Sequence, residues 1–130
     1  GELADFTPTY VQSGYAGGWC NPATGYSLPL ATRFALAVAH GPAENTFGRL
    51  QLLQQEVSRG LPFLFLLNRL AFQCFEPEDM WHVYSRFYGK PQDLIERFYA
   101  MRTTPTDRTR ILVGRPPKGV KLIRALSLLR

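Results

Sequence analysis

The segment that most narrows what this chain can become is residues 14–39, GYAGGWCNPATGYSLPLATRFALAVA. Its first half cannot form a regular element. Glycines at 14, 17, 18 and 25 flank Pro22, with Tyr15, Trp19 and Tyr26 among them. Its second half is apolar and alanine-rich, with one charge, Arg33. Ser27 suits an N-cap, and Pro29 suits a first helical turn, where a missing N–H costs nothing. A helix is therefore predicted over residues 28–39. Glycine lets backbone approach a flat or charged ligand because no Cβ intervenes. The unpaired N–H groups of that helix would point back into the loop as an anion site, worth roughly 0.3–2 kcal/mol. The same residues also read as a glycine turn before a buried helix, and composition alone leaves both readings standing.

The rest of the chain reads as helical. Residues 10–13 are compatible with a short strand feeding the loop, an arrangement that often holds nucleotide-type cofactors. No GxGxxG follows it, and no βαβ unit is present in which to place one. After Gly41–Pro42, residues 43–59 carry Phe47, Leu50, Leu53 and Val57 on one helix face, and Gly60 reads as a stop. Pro62 then opens a second helix to about residue 75, apolar almost all round. Pro77 with Glu78 and Asp79 starts a third, ended by Gly89, and Pro91 with Asp93 starts a fourth. Thr104, Pro105 and Asp107 form an N-cap signature for a helix that stops by Gly114. A basic, leucine-rich segment closes the chain over residues 120–129. The prediction is mainly α: five or six short helices after one loop, with at most one or two short strands near the N-terminus. No repeat and no low-complexity tract occurs.

Several stretches resemble one family in order along the chain. GYAGGWCNPATGYSLPLA is similar to the glycine-rich C-terminal flavin loop of bacterial-type lycopene cyclases, roughly AG-x-x-HP-x-TGYSLP-x-A. FLLNRLAFQCF from Phe65, RFYGKPQDLIERFYA over residues 86–100, and DRTRILVGRPP over residues 107–117 resemble the helical region of the same family. The resemblance implies the helical C-terminal portion of an α/β FAD/NAD(P)-binding flavoprotein of Rossmann type. Residues 1–41 would end the flavin-binding domain, and residues 42–130 would form the helical C-terminal region. It implies an FAD-dependent enzyme that closes the acyclic ends of lycopene into β-ionone rings with no net redox change. The flavin is used reduced, with NAD(P)H as reductant. Flavin contact carries over residue by residue onto Gly18, Pro22, Thr24, Gly25, Tyr26 and Ser27, and onto Asn21, where relatives usually have histidine. The family's dinucleotide fingerprint and acid–base carboxylate lie upstream, so no catalytic residue is assigned. The segment alone is expected neither to hold FAD tightly nor to cyclise anything.

Charge supports a surface role. Residues 1–85 hold four Lys and Arg against seven Asp and Glu, whereas residues 86–130 hold eleven against three. No acid follows Asp107, so an anionic partner is implied. The basic tail reads as a solvated face or as an interfacial helix on anionic lipid. Nucleic acid is not favoured, because the cations alternate with leucines and match no binding motif. Lycopene or a related acyclic carotenoid, a membrane lipid surface and other carotenoid-forming enzymes are the expected partners. The expected location is cytoplasmic and peripheral to a membrane.

Other chemistries have weaker support. Cys20 and Cys74 suit neither a disulfide framework nor a zinc site, and no metal is predicted. Glu76, Glu78 and Asp79 are accounted for as helix-dipole partners. His40 and His82 are isolated. Asn68–Arg69, polar inside an apolar helix, reads as a buried amide bond beside an outward arginine. The aromatics of residues 63–99 are core or the wall of an apolar tunnel.

Overall fold

In the computed structural model, which describes residues 10–130, the first helix, α1, runs Leu28–Ala39. Pro29 lies in its first turn and Ser27 at its N-cap, although the serine side chain makes no capping hydrogen bond. α1 buries Leu30 and lies along α2, Thr46–Cys74. Two arginines fix the pair. Arg33 of α1 reaches Glu56 at 2.8 Å and the Ala100 carbonyl at 3.4 Å. Arg49 of α2 donates from Nε to Ala37 O at 2.7 Å and from Nη1 to Pro42 O at 2.9 Å, placing a cation at the carbonyl end of α1.

The expected break at Gly60–Pro62 does not occur: α2 is one helix through both residues, with Pro62 inside it. Local propensity opposes this by about 1 kcal/mol for glycine and about 3 kcal/mol for proline. Tertiary packing reverses the balance. Leu53 and Val57 before the interruption and Phe63 and Leu64 after it are buried in one core. Burying each such side chain contributes about 1.5–3 kcal/mol, and that core forms only if the helix stays in register. Gly60 keeps its helical cost, because a Cβ built there meets nothing within 4 Å. Gly60→Ala is therefore expected to raise unfolding free energy by roughly 1 kcal/mol in denaturant titrations; a decrease would mean that the glycine serves a bend.

The remaining helices are short. They are α3 (Met80–Tyr88), α4 (Gln92–Tyr99), α5 (Pro105–Leu112) and α6 (Leu122–Leu128). α5 begins with a complete capping box, as its sequence predicts. Thr104 Oγ1 accepts from Asp107 N at 3.1 Å, and Asp107 Oδ2 accepts from Thr104 N at 3.0 Å. Asp107 is buried and also takes the Arg97 fork, from Nε at 2.6 Å and Nη2 at 2.7 Å, which ties α5 to α4. Arg86 of α3 covers the other end of α5, donating to Ile111 O at 2.6 Å and Val113 O at 3.0 Å. Met101, just past α4, has φ 57° without being glycine. That costs about 1–2 kcal/mol, offset by burial of its side chain in the core.

Among the described residues there is no strand. Residues 10–13 are irregular, and the glycine loop itself uses their carbonyls. Trp19 Nε1 donates to Gln12 O at 2.9 Å, and Gly17 N donates to Ser13 O at 3.2 Å. A strand there would need a partner in place of those bonds.

Candidate functional site

The glycine loop is held from inside by one residue. Asn21 has no exposed surface. Its N–H donates to Tyr26 O at 3.0 Å, and its carbonyl accepts from Gly25 N at 2.7 Å and Thr24 N at 3.3 Å. Its side-chain oxygen accepts from Ala23 N at 2.9 Å, and its Nδ2 donates to Phe98 O of α4 at 2.9 Å. Asn68 of α2 adds a second amide, donating to Pro22 O at 3.0 Å. Trp19 anchors the start of the loop, buried with its ring edge-on to Phe34 of α1 at 5.0 Å. Residues 21–26 are thus a closed turn whose polar inward atoms are paired.

What this turn pushes outward is the candidate site. Thr24, Gly25 and Tyr26 are exposed, Pro22 and Ser27 half-buried. Gly25 has φ 72° and open space where a Cβ would stand, and Gly18, also exposed, has φ 77° with the same openness. Thr24 Oγ1 accepts from Tyr26 N at 3.1 Å, and the Tyr15 hydroxyl donates to Gly25 O at 2.5 Å. The first bond into α1 runs from Ala31 N to Ser27 O at 2.8 Å. The N–H groups of Leu28 and Leu30 therefore precede the helical ladder, and Pro29 has none. With Ser27 not capping, the N–H of exposed Leu28 remains available to an acceptor beside the turn, whereas Leu30 is buried.

Behind the loop runs a cavity of about 380 Å³. It begins at Ala23 and Thr24, passes Asn68, Phe87 and Tyr99, and reaches Leu122 and Leu126 of α6. Its volume falls in the small-molecule range of about 300–1,000 Å³. Among the described residues, no carboxylate lines it. Its cations are Arg86, committed to α5, and Lys90, whose ammonium burial and the neighbouring Arg86 hold below its ordinary range. Where loop and cavity meet, Tyr26 packs edge-on to Tyr99 at 5.6 Å, and the Tyr99 and Tyr88 hydroxyls bond one another. That bond, with burial, pushes the Tyr99 phenol up to about 12, so it stays protonated. A second cleft, about 360 Å³ between residues 10–19 and the start of α2, touches none of residues 21–27.

Four of the eight side-chain carboxylates among the described residues are ion-paired. Glu56 pairs with Arg33, Glu76 with Lys121, and Asp93 and Asp107 with Arg97. Cys74 is buried, and burial raises its thiol. Sequence reasoning singled out Asn68 and placed Tyr15 in the loop, but read Tyr88 and Tyr99 only as core or tunnel wall and missed them as its neighbours. Nothing in their spacing shows that three separate segments converge there.

The described residues thus form a mainly helical unit that presents a braced glycine turn at a helix start, with an apolar cavity behind it. The chain belongs to the lycopene cyclase family. The sequence profile of that family, described as lycopene cyclase protein, matches residues 1–125. The chain is 42% identical over 113 residues to the lycopene beta-cyclase of Pseudescherichia vulneris, covering 85% of this chain and 29% of that one. Similarity to the lycopene beta-cyclase of Pantoea ananas is 42% over 118 residues, covering 83% and 29%. For that of Paracoccus sp. (strain N81106 / MBIC 01143) it is 39% over 121 residues, covering 90% and 31%. The chain thus spans about 30% of the length of these curated relatives. No solved structure matches it. Among the described residues, no helix is long and apolar enough to cross a membrane.

Proposed function

We propose that this chain is the C-terminal, flavin-facing part of an FAD-dependent lycopene β-cyclase, which turns the acyclic ends of lycopene into β-ionone rings. Residues 1–41 would complete the flavin-binding domain, and residues 42–130 the helical substrate side. The carrying observation is the braced turn at residues 21–26, which displays Thr24, Gly25 and Tyr26 beside the exposed start of α1 at Leu28. Such a cradle fits the edge of a flat, electron-rich ring: no side chain stands over Gly25, and the helix start favours negative charge. Gly18, Pro22, Thr24, Gly25, Tyr26 and Ser27 would make the contact, and Asn21 would act from beneath by fixing the turn.

When bound, reduced FAD, kept reduced by NAD(P)H, supplies electron density beside the reacting end group, with no net oxidation of substrate. The chain's own part is placement. The Leu28 N–H offsets charge at the turn, and the cavity walls exclude water from the polyene end. Tyr99 and Tyr88 hold a protonated hydroxyl pair at the junction. The acid–base carboxylate would belong to sequence upstream of this chain. The enzyme would work peripherally on a membrane lipid surface, beside other carotenoid-forming enzymes.

The test is expression of the complete coding sequence in a lycopene-accumulating host, with HPLC for β-carotene and absorbance for co-purified flavin. Gly25→Ala makes it specific to the turn. At φ 72° the substitution costs about 1–2 kcal/mol of backbone strain. It also puts a methyl where the ring edge would lie. Flavin content is expected to fall at least tenfold while the protein stays folded. Unchanged flavin content would detach the turn from the cofactor.

A further inference from the structure

After Asp107 the chain carries Arg108, Arg110, Arg115, Lys118, Lys121, Arg124 and Arg130 and no acid. The last part of this run forms α6, which follows the turn Arg115-Pro116-Pro117-Lys118-Gly119. Few polar bonds hold it. Lys121 N donates to Cys74 O at 2.8 Å, Lys121 Nζ pairs with Glu76, and Arg124 Nη1 donates to Gln73 O at 3.3 Å. Leu122, Leu126 and Leu129 wall the cavity, yet they are 56%, 64% and 51% exposed, so the cavity opens at α6. Ile123 points away from the cavity and is 86% exposed, and Phe72 at the same opening is 76% exposed.

Two occupants compete for such a face, the rest of the polypeptide and a lipid surface. The centre of a protein interface is depleted in charge, whereas here exposed leucines alternate with exposed Lys118, Arg124 and Arg130. Of the acids nearby, Glu76 is paired with Lys121, and Glu78 and Asp79 occupy the turn before α3. Five cations from Arg115 onward outnumber those three. Stable lipid anchoring takes two signals, apolar insertion and a basic patch, and this face has both.

We propose that α6 with Phe72 is the element that docks on an anionic bilayer, and that lipid-dissolved substrate reaches the cavity past α6. What enters rests on the cyclase reading; the docking does not. The experiment is flotation of the full-length holoenzyme with vesicles of phosphatidylcholine alone or mixed with phosphatidylglycerol. The expected result is selective binding to the mixed vesicles, weakened by salt. Lys118→Glu with Arg130→Glu is expected to lower that binding roughly tenfold or more. Ile123→Asp should do the same, and neither variant should change flavin content or conversion of detergent-dispersed lycopene.

Full vesicle binding by both variants would overturn the proposal. So would loss of flavin or aggregation in Ile123→Asp, since the face would then be packed against the rest of the polypeptide. Dissociation of an oligomer by the same substitution would assign the face to a second copy and would equally overturn it. Vesicle binding without conversion of lycopene would sink the cyclase reading and leave the docking intact. Conversion without vesicle selectivity would do the reverse.

Discussion

Asp107→Asn is expected to open the α4–α5 corner about a hundredfold more often than in the native protein, a loss of about 3 kcal/mol. The carboxylate is buried, accepts both branches of the Arg97 fork, and caps the start of α5 through Thr104 N. The asparagine matches it in shape but has one acceptor oxygen and no charge, so Arg97 keeps only the exposed Asp93 as a carboxylate partner and one donor faces another. Native-state amide exchange over residues 94–112 in the full-length protein reads the effect directly. Thr104→Ala removes one half of the capping box and should cost only about 1 kcal/mol. Exchange in Asp107→Asn no faster than in Thr104→Ala would mean that the ion pair contributes nothing beyond the cap.

The pH dependence has a definite sign. The Arg97 hydrogen bonds hold the Asp107 carboxyl below the ordinary carboxylate range, with the Thr104 contacts adding to them against an opposing effect of burial. A group with a depressed folded-state value binds its proton more weakly when folded, so it stabilises wherever it is ionised in both states. The advantage of wild type over Asp107→Asn should be constant above about pH 5. It should shrink only as pH falls through the unfolded-state value near 4 and on toward the folded one. A gap that widened on acidification would contradict the assignment.

How much of this was legible beforehand depends on the range of the cause. The start of α1 follows from Pro29 in its first turn, and that of α5 from Thr104, Pro105 and Asp107, because such signals act within four residues. The end of α3 at Gly89 is equally local. α2 was misread as two helices because its continuity is decided by Leu53, Val57, Phe63 and Leu64 meeting one core, while Gly60 and Pro62 advertise a break. The positive φ of Met101 had no glycine or asparagine to announce it. In the site, Gly25 and Tyr26 were visible by residue type and by resemblance. The role of Asn21 was not, since the acceptor of its amide lies 77 residues further along the chain.

That distant bond motivates the sharpest test of the site. In Asn21→Ala the three main-chain bonds of residue 21 survive, but Ala23 N loses its acceptor and Phe98 O loses the amide and keeps the 3.2 Å bond from Met101 N, around a side chain that has no exposed surface. Leaving a buried group unpaired costs about 1–3 kcal/mol, so the turn should loosen from α4 by about that much. Amides of residues 22–27 should exchange faster, and flavin retention should drop at least tenfold, while α2 keeps its protection. Volume alone cannot explain that outcome if Asn21→Leu, which fills the space without a donor or acceptor, behaves like alanine. Histidine, the residue resemblance leads one to expect here, offers one ring N–H for Phe98 O and one ring nitrogen to accept from Ala23 N. Asn21→His should therefore recover most of the retention at neutral pH and lose it again as the imidazole protonates and its acceptor disappears. Leucine matching asparagine, or histidine matching alanine, would show that the turn is set by packing rather than by this pair of hydrogen bonds.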